Sequence, residues 1–285
     1  MPFTIAAGQA APRSETSEDF MKNPDIPDTA ADLPPDVSVV IPLHDEELNL
    51  AALVAGVMAA LSGLRHEIVL VDDGSNDGTR ALALRLAARH PALRVIAHEV
   101  AAGQSAAVHS GVLAARAAVI ATLDGDGQNP PENLPALIAP LMAADRPARL
   151  ALVAGQRVGR RDTLSKKTAS RLANGIRARV LKDGTRDTGC GLKAFRRDAF
   201  LALPYFNHLH RYLPALFARD GWEVAHVDVT HAARQAGRSK YTNFGRAIVG
   251  ISDLMGVAWL IRRRKTSRPT ELLPDPEPTT KEISR

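Results

Sequence analysis

The chain has 285 residues, 45% of them hydrophobic, enough to bury one sizeable core or two small ones. Aromatic residues make up only 4%, which argues against the stacking platforms of single-stranded nucleic-acid binders. The formal charge of +5 favours anionic partners such as phosphate-bearing substrates or an acidic membrane face, and the single cysteine, Cys190, excludes an intramolecular disulfide and fits a reducing cytoplasmic setting.

Residues 1–36 are rich in Ala, Pro, Asp, Glu, Ser and Thr without periodicity and read as a disordered leader. They lack the basic start and apolar run of a secretory signal. Val37 to Leu43 is a continuous apolar run, the pattern of a strand buried on both faces, and Glu46 to Leu61 follows at helical spacing. Strand signals recur at Glu67 to Val71, Leu93 to Ala97, Ala118 to Leu123 and Leu150 to Ala154. Helix signals lie between them at Thr79 to His90 and Ser105 to Ala115. This alternation predicts an α/β fold with a mostly parallel sheet flanked by helices, which binds ligands beyond the carboxyl ends of its strands. Further on, Ser165 to Leu181 reads as a helix with a basic face, Gly189 to Arg196 as a strand and His210 to Arg219 as a helix. Glu223 to Val229 reads as a strand, Asn243 to Leu260 as an apolar helix and residues 266–285 as a disordered tail. No window supplies the ~20 apolar residues of a bilayer-spanning helix.

Three constellations sit just after strands. In Leu123-Asp124-Gly125-Asp126-Gly127-Gln128, two carboxylates one residue apart leave an apolar strand into a glycine-rich turn. Carboxylate and carboxamide oxygens suit a hard divalent cation such as Mg²⁺ or Mn²⁺, which neutralises a departing diphosphate. In Val71-Asp72-Asp73-Gly74-Ser75-Asn76-Asp77-Gly78-Thr79, the acidic groups at a strand end can accept hydrogen bonds from a nucleobase or ribose. The plainer reading makes Asp77 or Thr79 a cap for the next helix. Ile41-Pro42-Leu43-His44-Asp45-Glu46-Glu47 carries carboxylates but no Gly-x-Gly-x-x-Gly, which disfavours a dinucleotide oxidoreductase; Glu46 and Glu47 also suit a helix N-terminus.

Taken in order, these segments resemble family 2 glycosyltransferases, and within them the dolichol-phosphate mannose synthases and their bacterial polyprenyl-phosphate relatives. The resemblance continues through Ala154-Gly155-Gln156-Arg157, Ser170-Arg171, Asp187 to Phe195 and Arg234 to Tyr241. It implies a single GT-A domain over about residues 37–245 and metal-dependent, inverting transfer from GDP-mannose or a UDP-sugar to a polyprenyl phosphate. Pro42, Glu46, Asp72, Asp73 and Asp124 would hold the nucleotide, and Asp124, Asp126 and Gln128 the metal. Arg157, Arg171, Arg234, Ser239 and Lys240 would hold the acceptor phosphate, with Asp124, Asp126, Arg157 and Arg234 the catalytic set. His44-Asp45 and Gly125 depart from the family pattern, which more often has Tyr-Asn and Ala.

Arg160, Arg161, Lys166, Lys167, Arg177, Arg179 and Lys182 read mainly as a solvated basic face. Ala247 to Ile261, followed by Arg262-Arg263-Arg264-Lys265, reads either as an interfacial helix over 246–265 or as a core-packing helix. Docking on a small membrane-anchor protein is a third route to the membrane. The expected setting is the cytoplasm, peripheral at the inner face of the membrane. A family 2 enzyme that glycosylates a sugar hydroxyl is the alternative function, and it needs a general base. A non-catalytic sugar-nucleotide sensor is a third reading. Nucleic acid is not an expected partner, since no recognised motif accompanies the basic stretch.

Overall fold

The computed structural model describes residues 33–158, 175, 177, 179–181, 183–232, 243–264 and 267. The strands are β1 (Val37–Leu43), β2 (His66–Asp73), β3 (Leu93–His98), β4 (Val119–Thr122), β5 (Leu150–Arg157), β6 (Lys193–Arg196) and β7 (Glu223–Val229). They form one sheet in the order β3-β2-β1-β4-β6-β5-β7. β6 runs antiparallel to both β4 and β5, and the other pairs are parallel. The sheet is therefore mostly parallel, as the alternation of signals requires.

Period-two alternation sends successive side chains of β1 to opposite faces. Val37, Val39, Ile41 and Leu43 join the core cluster that also holds Leu50, Leu53 and Val57 of α1 (Glu47–Ala60). Val40 turns the other way, into the cluster of Val108 and Val112 from α3 (Gln104–Ala114). Both faces are covered, and β1 reads as an apolar run for that reason. α2 (Thr79–Ala87) packs on β2 and β3, and α4 (Leu134–Met142) on β4, β5 and β6. α5 (Arg197–Leu201), α6 (Leu213–Arg219) and α7 (Asn243–Arg262) follow later in the chain.

Several sequence expectations need correction. α4 carries no clear helix signal because Pro135 and Pro140 interrupt it. Pro135 falls in the first turn, where a missing N–H is tolerated, whereas Pro140 lies inside the helix. The strand expected from Gly189 begins only at Lys193, because a turn at 188–189 leads into irregular backbone at 190–192 that hydrogen-bonds β4 and β5. The helix expected over His210 to Arg219 is split into a 3-10 turn at Leu209–Arg211 and α6, with His208 left-handed at φ 69° just before it. Most of the expected helix from Ser165 to Leu181 lies outside the described residues. Within it, Arg177 is buried and ion-paired with Asp183, so it is not part of a solvated face.

The orientation of β6 matters most for the site. Its first residue, Lys193, pairs with Thr122 near the end of β4 and with Ala154 of β5. The start of an antiparallel strand thus joins the edge where the parallel strands finish.

Candidate active site

The carboxyl edge of β1 and β2 is a set of interlocked acidic loops. Asp72 is fully buried; Arg80 Nε donates to its Oδ2 at 2.6 Å and the Ser75 N–H to its Oδ1 at 3.3 Å. Asp73 accepts from the N–H groups of Ala102 at 2.8 Å and Gly103 at 2.7 Å, and from His98 Nδ1 at 2.7 Å. Burial opposes ionisation of Asp73, but these donors outweigh it and hold the carboxyl below the usual range. Asp77 accepts from the N–H of Thr79, the first residue of α2, and from the N–H of Glu47, the first residue of α1. Glu47 returns the contact by accepting from the Gly78 N–H at 3.1 Å. Asp77 is thus a helix cap, as expected, but for two helices at once. The Glu46 side chain accepts from Asn49 Nδ2 at 2.7 Å, and Pro42 lies one position before the end of β1.

The second part of the edge lies where β4, β5 and β6 meet. Asp124 follows β4 by two residues, and its two oxygens accept from Gln104 Nε2 at 2.7 Å and Asn129 Nδ2 at 3.0 Å. Gly191 packs so closely that an added Cβ would stand 2.3 Å from an Asp124 oxygen, so any side chain there would displace the Asp124 carboxylate. Thr122 holds this turn by donating to the Gly191 carbonyl at 2.9 Å. Arg157, the last residue of β5, grips Asp187 with Nε at 2.6 Å and a terminal nitrogen at 2.8 Å. That pairing raises the guanidinium pKa against the effect of burial. Lys193 is buried and donates to the Cys190 carbonyl oxygen.

Charge in this corner is only partly balanced. Burial pushes the Asp124 carboxyl above its ordinary range and Asp126 pushes the same way, while Lys193, Asn129 and Arg157 pull against them. Burial likewise pushes the Lys193 ammonium below its usual range, against the carboxylates of Asp124 and Asp187. Asp126 turns back to accept from the Gln128 N–H at 3.1 Å. Among the described residues no group of three His, Cys, Asp or Glu gathers for a metal. Two carboxylates and one carboxamide would still suit an ion that takes its remaining oxygens from a diphosphate and water, as Mg²⁺ usually does.

The profile of Glycosyl transferase family 2 matches residues 38–203, which include every strand end described above except that of β7. The chain belongs to glycosyl transferase family 2. It is similar to a dodecaprenyl-phosphate galacturonate synthase of Rhizobium johnstonii, 35% identical over 80% of this chain and 68% of that protein. It is also similar to an undecaprenyl-phosphate 4-deoxy-4-formamido-L-arabinose transferase of Edwardsiella ictaluri, 36% identical over 72% of this chain and 62% of that protein. The matched region spans about two thirds of each relative's length. Among solved structures it resembles glucosyl-3-phosphoglycerate synthase from Mycobacterium tuberculosis in complex with Mg²⁺ and uridine diphosphate. The TM-score is 0.59 at 19% identity, over 78% of this chain and 80% of that chain. At that identity the likeness establishes the fold alone, a GT-A-like α/β domain.

Within the family 2 frame, both departures from the usual motif sit in closely packed local settings. A Cβ at Gly125 would stand 2.7 Å from Leu43 Cδ2 and 3.0 Å from the Pro42 carbonyl oxygen, which leaves no room for Ala. Asp45 sits at φ 56°, a left-handed conformation that Asn and Asp tolerate best, and accepts from the Asn76 N–H at 2.7 Å. His44 donates through Nδ1 to the Asp73 carbonyl oxygen at 2.8 Å, which ties β1's loop to β2's.

Of the expected acceptor residues, Arg157 is described and Arg171, Arg234, Ser239 and Lys240 lie outside the described residues. Sequence reasoning gave no role to Gln104, Asn129, Asp187 or Lys193. Gln104, Asp187 and Lys193 reach the site from segments distant from Asp124, so no local motif spacing marks them, whereas Asn129 falls five positions after it. A signal was available in Lys193, a lysine beside the apolar pair Ala194-Phe195 of β6.

Proposed function

We propose that this protein transfers a sugar from a UDP-sugar to a polyprenyl phosphate, with inversion at the anomeric carbon. The observation that carries the reading is the β4–β5–β6 corner. There the Asp124-Asp126 turn lies beside Lys193 and the Arg157–Asp187 pair, so anionic and cationic groups share one strand edge. The names of the relatives supply the acceptor class, since both act on a polyprenyl phosphate. They also move the donor away from GDP-mannose. D-Galacturonate and L-arabinopyranose share their ring configuration at C2, C3 and C4, so we infer a donor of that series. The uridine follows the UDP complexes of the structural neighbours.

In this reading Asp124, Asp126 and Gln128 would hold Mg²⁺ or Mn²⁺, which when bound neutralises the diphosphate leaving group. Gln104 and Asn129 orient the Asp124 carboxylate, and Gly191 gives it room. Pro42, Glu46, Asp72 and Asp73 form the edge that receives the nucleoside. Because the Asp72 and Asp73 oxygens already accept protein donors, these two shape the loops around the base more than they reach for it. Arg157, Arg171, Arg234, Ser239 and Lys240 would gather the acceptor phosphate, for which guanidinium forks are well matched. A phosphate monoester has its second pKa near ~6 and is already a dianion at neutral pH, so its oxygen needs aiming rather than deprotonation. That oxygen forms the new bond to the anomeric carbon while the bond to the UDP oxygen breaks, and UDP leaves with the electron pair. The protein meets its acceptor at the cytoplasmic face of the membrane.

The test is transfer of radiolabel from UDP-galacturonate, a UDP-linked 4-amino-L-arabinose derivative, UDP-glucose and GDP-mannose into a butanol-extractable product, with Mn²⁺ and detergent-dispersed undecaprenyl phosphate. The first two should label the lipid best, and Arg234→Ala should abolish it. Label that stays in water with every donor rejects the acceptor assignment. An Arg234→Ala variant at full activity favours a hydroxyl acceptor instead.

A further inference from the structure

α7 packs one side against the core and leaves another side exposed. On its inner side Val257 is buried, and Leu254, Leu260 and Ile261 pack against the core cluster of Leu213 and Phe217. Three polar contacts fix the rotation of the helix. Tyr212 donates to the Gly250 carbonyl at 3.3 Å, Arg219 Nε donates to the Leu260 carbonyl at 2.9 Å, and His208 Nδ1 lies 2.9 Å from Asp253 Oδ2. On the outer side Ile251, Met255 and Trp259 are 60%, 64% and 59% exposed. Their spacing of four residues aligns them in one stripe roughly 12 Å long. At its end Arg262, Arg263 and Arg264 are all exposed. The helix cannot turn to hide the stripe without breaking the inner contacts.

We propose that this outer face of α7 docks on an anionic phospholipid bilayer, with Ile251, Met255 and Trp259 at the headgroup–acyl boundary and the three arginines on lipid phosphates. Trp favours that boundary and a basic cluster is drawn to anionic headgroups, so both ends of the stripe match one partner. Three side chains, even with Trp at about 200 Å², fall short of the ~800 Å² per partner of a stable protein interface. A second copy of the chain is therefore the weaker fit. The inner side of α7 connects to the site through a relay of contacts, beginning with Asp253 and His208. His208 belongs to the turn whose His210 hydrogen-bonds Ser105, and the adjacent Gln104 holds Asp124. In naming where the lipid acceptor is met, the proposal rests on the polyprenyl-phosphate reading; the docking itself requires neither donor nor acceptor.

Co-sedimentation of the full chain with vesicles tests it, using phosphatidylcholine with and without phosphatidylglycerol and no polyprenyl phosphate. Binding should require phosphatidylglycerol and weaken with salt. Arg262→Gln, Arg263→Gln and Arg264→Gln should each reduce affinity roughly fivefold. The combined Ile251→Ser, Met255→Ser, Trp259→Ser variant should lose at least about tenfold. That variant should keep the wild-type melting temperature and its transfer rate with detergent-dispersed acceptor, which separates lost docking from lost folding. Wild-type protein that ignores anionic vesicles, or a triple variant that binds like wild type, overturns the proposal. A wild-type dimer that the triple variant splits, without vesicle binding, overturns it in favour of a second copy. Since the detergent assay reads the reaction alone, failure of docking and failure of the reaction are distinguishable.

Discussion

The two halves of the strand-end edge use the same residue types for different ends. At β1 and β2, the carboxylates of Asp45, Asp72, Asp73 and Asp77 accept backbone N–H groups or an arginine, and Asp73 is held below its ordinary pKa. At β4, β5 and β6, Asp124 is pushed up and Lys193 pushed down, so each carries its charge at a cost. The first half is a rigid frame whose charges are spent on the protein. The second keeps charge that a ligand's own charge can balance, which is where perturbed groups usually mark chemistry.

The sharpest way to break this contrast is Asp124→Asn. It should reduce transfer by more than roughly a thousandfold. Its melting temperature should hold or rise, because a carboxylate held above its ordinary pKa destabilises the folded state at neutral pH. Transfer assays and thermal unfolding at pH 7 check both parts. A fall in melting temperature with retained activity would place Asp124 in the frame instead.

Asp73→Ala should do the opposite. It leaves three donors around a buried position unsatisfied, a loss of about 3–5 kcal/mol. For a domain of this size that lowers the melting temperature by roughly 10 °C, with activity falling only as the fold does. Urea unfolding measures it. Asp73→Asn, which retains one acceptor oxygen, should fall between Ala and wild type.

How far the sequence exposes this division depends on distance along the chain. β1 to β5 are legible as apolar runs between turn signals and β7 by its alternation, whereas β6 is only half legible, its expected start at Gly189 lying four residues early; Asp124 stands out because β4 leads straight to it. The reversed direction of β6 is not legible, since a four-residue strand carries no mark of its orientation. α4 is hidden by its prolines. Asp72 and Asp73 look like ligand contacts from spacing alone, because Arg80 and the 102–103 backbone that occupy them arrive from elsewhere. Gln104 escapes notice for the same reason: twenty residues separate it from Asp124.

Gln104 joins the two halves. The loop before it is anchored by Asp73 through Ala102 and Gly103, and its side chain reaches Asp124. As a positioning residue it should matter for rate and not for folding. Gln104→Ala should lower activity or Mn²⁺ affinity by about 10–100-fold, with the melting temperature nearly unchanged. Manganese titration followed by calorimetry, beside steady-state rates, reads both effects. Wild-type affinity and rate together would show that the bond to Asp124 is incidental.

The smallest expected effect lies behind this junction, at His210. Burial, with Lys193, Arg211 and His208 nearby, holds its imidazole well below the usual pKa, so it is neutral when folded. The Ser105 hydroxyl accepts from the His210 backbone N–H at 3.3 Å and lies 2.7 Å from Nδ1. The unfolded chain takes up a proton near pH ~6.5 while the folded chain does not. Stability from this group is therefore complete above that pH and is lost as pH falls from there toward the depressed folded value. The slope should be at most about 1.4 kcal/mol per pH unit, or ~3–5 °C in melting temperature. His210→Asn keeps an acceptor for Ser105 but cannot titrate, so its melting curve between pH 7.5 and pH 5.5 should be flatter than wild type by about that amount. Parallel curves would mean that folding leaves the proton affinity of His210 unchanged, which overturns this account of its burial.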